Sequence, residues 1–371
     1  MRCGIGTTVR TTLTLTMLGI GPMGLADGIT TSISGYGTAG GTFTSDGNYA
    51  YIHNNSEFTG ASNSFDVGLE SRLGVQAVVS FDPQWSITAQ EEVKLRGSTN
   101  FDPGTEWLYV QFQPISDLKL RMGRVVLPVF LISDSMNVGY AAPWFRAPND
   151  VYSQEPFDYL DGAQAIWRHS FGPIDLNLET TYGEANATFD AAGFQLVAKS
   201  KSTFNGAVAV TWRNLLVRFS ETNLNTVATV PLSPTLTEQF DLKDRFHSIG
   251  LQYDDGSALA MIEWVKRDEN DLPGLNEPFA DDTGWYAALG WRFGKFTPMA
   301  IYSAFELQES AISPVGKFGT WGASVRYDVV RNLDLKLQLT RPQADNGLYW
   351  LTPTASDKRV TVYSLGADFV V

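Results

Sequence analysis

Along most of the chain, apolar and polar residues alternate with a period of two. The clearest run is Leu333-Asp-Leu335-Lys-Leu337-Gln-Leu339-Thr, four leucines on one face and four polar residues on the other. Ile174-Asp-Leu176-Asn-Leu178-Glu and Ile87-Thr-Ala89-Gln repeat the pattern. Such alternation describes a strand with one apolar and one polar face, and no later stretch sustains a 3.6-residue apolar stripe. Sixteen strands are expected, at 28–43, 63–80, 84–97, 104–113, 117–126, 160–170, 173–184, 203–213, 214–223, 245–255, 256–268, 282–293, 296–307, 317–329, 331–342 and 357–371. Seven short turns, among them Asp82-Pro83, Gly172-Pro173 and Asp254-Asp255-Gly256, alternate with eight longer loops. Strict alternation puts every turn, and both chain ends, at one end of the sheet.

One stretch breaks the rhythm. Residues 125–160 run for 36 positions with neither helical nor strand periodicity. Four prolines (Pro128, Pro143, Pro148, Pro156) exclude a long helix or a central strand there. Seven aromatics sit beside four acids: Asp134, Asp150, Glu155 and Asp158. A disordered insert would be poor in aromatics, so a folded loop that packs inside something is expected.

The apolar faces are thin, built of Leu, Val and Ala. The large rings gather near the short turns, at Trp85, Phe112, Trp167, Phe171, Trp212, Tyr253, Trp291, Phe293, Phe296, Tyr327 and Phe369. A soluble sandwich needs a shared apolar core between two sheets. Rings at one level instead match the girdle that sits between lipid and water. A closed antiparallel barrel is also the one sheet that enters lipid without a raw edge. Sixteen strands enclose an aqueous lumen, and the loop at 125–160 can fold into it with its aromatics on the wall and its acids toward the pore.

Composition then narrows the setting. Arg2 and Arg10, an apolar run from Leu13 to Ile20 and the small-residue end Gly24-Leu25-Ala26 read as a cleaved secretory signal at 1–26. The single cysteine, Cys3, leaves with it, so residues 27–371 have no disulfide, thiol nucleophile or thiolate metal site. Those residues keep 25 of the 27 Lys and Arg and all 40 Asp and Glu, a formal charge of −15. That balance argues against a nucleic-acid partner.

Particular residues resemble a known family. Ile33-Ser-Gly-Tyr-Gly37, Ser71-Arg-Leu-Gly-Val-Gln76, Arg121-Met-Gly-Arg124 and the closing Val362-Tyr-Ser-Leu-Gly-Ala-Asp-Phe369 are similar to segments of the sixteen-stranded Gram-negative outer-membrane porins. The likeness covers all of 27–371. It departs at the end, where Val370-Val371 follow Phe369 and the family usually closes on an aromatic. The resemblance implies a homotrimer with one pore per subunit, set in the outer membrane among lipid and lipopolysaccharide, passing small hydrophilic solutes and ions by diffusion. It also implies that Arg72, before a Leu-Gly pair, lines the constriction. Strand parity alone adds Lys94, Arg96, Lys119 and Arg121, facing Asp134, Asp150, Glu155 and Asp158 on the loop. Opposed charge rows across a narrow gap make a transverse field that orients dipolar solutes.

With Glu70, Glu92 and Arg146 included, these charges cancel at the constriction. The segment 268–282 holds six acids (Asp268, Glu269, Asp271, Glu277, Asp281, Asp282) and no Lys or Arg, so weak cation selectivity is expected from the outer mouth. A channel selective for a phosphate, sugar or amino-acid class is the alternative, ahead of a barrel enzyme or a surface adhesin. No enzymatic set stands out. Gly35-Tyr-Gly37-Thr-Ala-Gly40 spells a dinucleotide fingerprint without the helix it needs. His53, His169 and His247 lack ligand spacing, and no cofactor or metal is expected.

Overall fold

In a computed structural model, which describes residues 20–25, 28–53, 60–95, 101–155, 157–191, 194–233, 236–269, 281–308, 316–344, 351–352 and 360–371, the alternating segments close into one antiparallel barrel. Its strands are β1 (Ile29–Thr44), β2 (Arg72–Ser80), β3 (Trp85–Leu95), β4 (Phe101–Ile115), β5 (Leu118–Val126), β6 (Tyr159–Phe171), β7 (Ile174–Ala191) and β8 (Phe194–Trp212). They continue as β9 (Leu215–Ser233), β10 (Leu236–Asp254), β11 (Ala258–Glu269), β12 (Asp282–Trp291), β13 (Phe296–Leu307), β14 (Gly316–Val330), β15 (Leu333–Ala344) and β16 (Val362–Val370). Each pairs with its sequence neighbours, and β16 pairs with β1 from Val362 opposite Thr44 to Val370 opposite Tyr36. Val371 extends this seam by exchanging both backbone bonds with Gly35, at 3.0 and 2.8 Å. The two residues beyond Phe369 are therefore part of the ladder.

Alternation sets the faces. On β2, Leu73 and Val75 stand exposed on the outside while Arg72, Gly74 and Gln76 point in. Rings form two outward girdles. Trp291, Phe296 and Tyr327 lie near the short turns, and Trp285, Tyr302 and Trp321 lie six residues further along the same strands. Trp285, Tyr302 and Trp321 touch in sequence, with centroids 5.4 and 4.6 Å apart. Outward residues such as Leu289, Ile262 and Ile249 are exposed in the isolated chain, as lipid-facing side chains must be.

Four strands are much longer than the alternation suggested. Residues 185–202 and 224–244, expected as loops, instead extend β7 to β10, apart from short gaps in the described residues. Their outward positions turn polar (Asn186, Lys199, Asn225, Lys243), so the period-two contrast fades although the pairing continues. Hairpins that outrun the lipid are wet on the outside, and their strands no longer need an apolar face.

At the other extreme, β2 starts at Arg72 and not near 63. There the upper part of β1 pairs instead with the preceding loop, Thr42 exchanging backbone bonds with Asp66 at 2.8 and 2.9 Å. Of the expected signal, residues 1–19 and 26 lie outside the described residues. Ile20–Leu25 runs as a short strand against Ile29–Ile33 of β1. Among the described residues no helix is long and apolar enough to cross a membrane.

The loop between β5 and β6 lies inside the barrel. Its rings Phe130, Trp144, Tyr152 and Phe157 are buried with Phe246 of β10, Met261 and Val265 of β11 and Tyr286 of β12. Phe130 meets Phe246 edge-on at 5.6 Å, and Trp144 meets Tyr286 likewise at 5.6 Å. The molecule's largest hydrophobic cluster is thus the contact between loop and wall.

Candidate pore constriction

Five sets of polar contacts seat the loop. At its entry, Arg218 of β9 donates to the carbonyls of Pro128 and Val129, and Ser220 to that of Val129. Glu263 of β11 then accepts from the Leu131 amide at 2.7 Å, the Tyr152 hydroxyl at 2.6 Å and Ser248 at 2.9 Å. Further on, the short helix α1 (Asn149–Tyr152) presents Asp150, which accepts from Ser303 of β13 at 2.6 Å. Gly284 of β12 makes room for it, because a Cβ there would stand 2.3 Å from the Asp150 carbonyl.

The remaining two sets lie on the seam. Arg146 donates to Glu70, to Thr42 of β1 at 2.9 Å and to Ser364 of β16 at 2.8 Å, with its guanidinium 4.6 Å from the Tyr51 ring centre. Phe145 rests over Gly40 and Gly366, where a Cβ on either would meet its ring at 2.6 or 2.8 Å. Lys336 of β15 donates to the Gly139 carbonyl at 2.6 Å and pairs with Asp368 at 2.9 Å. Arg326 of β14 donates to the carbonyls of Tyr140 and Ala142, and the Tyr140 hydroxyl reaches the carbonyl of Arg331 in the last short turn. The loop therefore runs down the inside of the barrel to its short-turn end.

This seating corrects the expected loop acids. Asp150 and Glu155 are buried, 1% and 6% exposed, and neither faces the pore. Asp150 is held by Ser303, and Glu155 accepts the Phe157 amide at 3.1 Å. Burial pushes the Glu155 carboxyl up to about 8 despite the nearby Arg267. Asp134 and Asp158 are exposed, and with Gln90 and Glu106 they line a cleft between loop and wall.

The wall cations point inward but do not gather. Arg72 and Lys94 are register partners on β2 and β3. Lys94 bridges Glu92 at 2.7 Å and Glu106 at 3.5 Å. Arg121 on β5 lies opposite Gln111, and Gln111 opposite Ser86. Ser86 is eight residues from Lys94 along β3, about 26 Å of strand at 3.3 Å per residue. That exceeds the reach of two long side chains, so Lys119 and Arg121 form a separate group nearer the short turns. Parity gave the side of the sheet correctly, but only the register gives the distance along it. Arg96 lies outside the described residues.

Several residues the sequence reading passed over belong here. Glu106 sits at a bulge between β3 and β4, which no alternation count reveals. Arg168 shares the inward face of β6 with Gln164, and parity could have found it. Asp334, Lys336 and Gln338 are the polar face of the clearest alternating run, but they are buried beneath the loop and not wetted by the pore. His53, which the sequence marks only as lacking ligand spacing, lies 3.3 Å from Glu70, and its carbonyl takes the Asn149 side-chain amide at 2.8 Å. Among the described residues no group of three His, Cys, Asp or Glu is placed to hold a metal ion.

Comparison with known proteins gives a consistent answer. The family model described as Gram-negative porin matches residues 21–369. No curated protein matches the chain. Among solved structures, the chain is similar to the trimer form of OmpT, an outer membrane protein of Vibrio cholerae, at 13% identity, 93% of this chain, 100% of that one and TM-score 0.57. It is similar to an anion-selective porin from Comamonas acidovorans at 12% identity, 92% and 100% coverage and TM-score 0.59. The outer membrane channel DcaP of Acinetobacter baumannii matches at 11% identity, 95% and 100% coverage and TM-score 0.61.

Proposed function

The chain belongs to the Gram-negative porin family and forms an outer-membrane channel for small solutes, and on that premise we propose passive diffusion of hydrophilic solutes and ions through a lumen narrowed by the loop at 125–160. The observation that carries this reading is the loop seated inside a closed sixteen-strand barrel. Arg72 and Lys94 form one charge station with Glu92 and Glu106, Asp134 and Asp158 line the cleft beside Glu106, and Lys119 and Arg121 form a second station. A channel is favoured over an enzyme by the family and by the pinned loop.

The homotrimer is supported by the trimer form among the similar structures. Export by a signal cleaved after Ala26 would remove the short strand at Ile20–Leu25. Contact with lipid headgroups and lipopolysaccharide is supported by an outward belt on β9–β11, where Glu221, Arg245, His247, Lys266 and Asp268 are paired among themselves. Weak cation preference from the outer mouth rests on the acids of 268–282, of which residues 270–280 lie outside the described residues. At the ends of that segment Asp268 is engaged by Lys266 and His247, and Asp282 is buried near Arg267.

Conductance of the purified protein in planar bilayers tests the reading. Ohmic steps and a small salt-screened reversal potential are expected, whereas a folded protein without conductance overturns it.

A further inference from the structure

The group near the short turns carries more than its share of positive charge. Lys119 and Arg121 lie on the inward face of β5, with Lys119 opposite Ile166 of β6 and Arg168 two positions along from Ile166. The charged neighbours of Lys119 are Arg121 and Arg168. Among the described residues Lys119 has no hydrogen-bonded or ion-paired partner.

The two guanidiniums are held by neutral groups. Arg121 donates to Gln111 and Gln164, both at 3.0 Å, and stacks 4.7 Å from the Tyr109 ring centre. Arg168 donates to Asn177 at 3.2 Å and is exposed. Two acids are close. Glu179 is buried, receives Gln164 at 2.9 Å and has Arg121, Arg168 and Arg218 among its charged neighbours, and Asp134 of the loop lies near it. Asp175, nearer the rim, receives Ser170.

The opposite wall differs in kind. There Arg326 and Lys336 are matched by Asp328, Asp334 and Asp368 and are covered by the loop. One side of the inner vestibule is therefore closed and neutralised, while the other presents three cations, one of them unpartnered, whose guanidinium hydrogen bonds go to carboxamides, with the single carboxylate of Glu179 buried behind two of them.

We infer that Lys119, Arg121 and Arg168 form a subsite for small oxyanions, carboxylate or phosphate, at the short-turn end of the lumen, the periplasmic end in outer-membrane barrels, separate from the Arg72–Lys94 station. Guanidinium forks match planar carboxylates and phosphate oxygens, and an ammonium between them adds a mobile donor. A solute leaving the constriction would pause here, so that anionic solutes bind while neutral ones pass.

The inference rests on the channel reading, and the test separates the two. Single-channel conductance of the full-length protein is titrated with succinate and, separately, with inorganic phosphate, each added to one side at a time. Concentration-dependent flicker or block is expected, stronger from the periplasmic side. In K119Q/R121Q/R168Q the half-blocking concentration should rise about tenfold, the order of one lost charge-assisted contact. Lys119→Gln alone, at an unpartnered side chain, should shift it in the same direction should the triple variant fail to fold. Lys201→Gln, on the outer surface, should leave it unchanged. Block by only one of the two anions narrows the class. Normal ohmic conductance without block by either, or equal block in all variants, overturns the subsite and leaves the channel standing. Absence of conductance overturns both.

Discussion

Glu155 makes loop seating depend on pH. When the loop is docked its carboxyl is buried and pushed from an ordinary value of 4.5 to about 8. Burial is the largest cause; Asp244 of β10 and Asp158 add to the rise, and Arg267 of β11 and the Phe157 amide offset only part of it. In an undocked loop the same carboxyl is in water and ionises normally. Between these values the docked state holds a proton that the undocked state has released, so docking weakens as pH rises. The stabilisation is complete below about pH 4.5, declines through neutrality and is gone above about pH 8. Each unit is worth about 1.4 kcal/mol, or tenfold. From pH 5 to pH 7 docking should therefore lose up to about 3 kcal/mol, roughly a hundredfold in the undocked fraction. Single-channel recordings between pH 5 and 8, in molar salt to screen pore charge, should show loop-derived current noise growing with pH. Glu155→Gln, which keeps the shape and cannot ionise, should flatten that profile. Identical profiles in the two proteins would refute the reasoning.

Two further outcomes follow from the seam contacts. Arg146→Met strands the buried Glu70 carboxylate and should cost about 3–5 kcal/mol, read as a lower melting temperature of the folded barrel and easier proteolysis within 139–150. Adding Glu70→Gln should recover part of the loss, and no recovery would mean that the charge pair is not the cause. Deleting Ser135 to Pro148 should enlarge the conductance. It should also lower thermal stability, because Lys336 and Arg326 lose the carbonyls of Gly139, Tyr140 and Ala142. An unchanged conductance in a folded deletion would show that the loop does not narrow the path.

The barrel was legible because its rule is local. Each strand must show lipid one face, and Leu333 to Thr340 writes that rule in eight residues. Strand ends were legible only where lipid ends with them, as at the Trp291 and Phe296 turn. Beyond the lipid the extended hairpins of β7 to β10 obey no such rule, and their residues read as loops. The loop was legible as an insertion, and its rings were legible as anchors. Its acids were not, since Asp134 and Asp150 look alike in sequence. Whether a carboxylate faces water or Ser303 depends on where α1 lands, and that is set by residues more than a hundred positions away. The grouping of wall cations failed for a related reason. Alternation tells in from out, but the offset between Lys94 and Arg121 is fixed by hairpin register.

The loop does not only narrow the lumen; it rivets the seam. Arg146 joins Thr42 of the first strand to Ser364 of the last, Phe145 lies across Gly40 and Gly366, and Lys336 ties Gly139 to Asp368. Half of this seat is supplied by the final ten residues of the chain. The loop, made in the first half of the chain, has no finished berth until those residues arrive. A barrel truncated at its C-terminus would lack the wall that receives the loop as well as a strand. The chain thus cannot present a narrowed pore without first being whole, and its own constriction reports that assembly is complete.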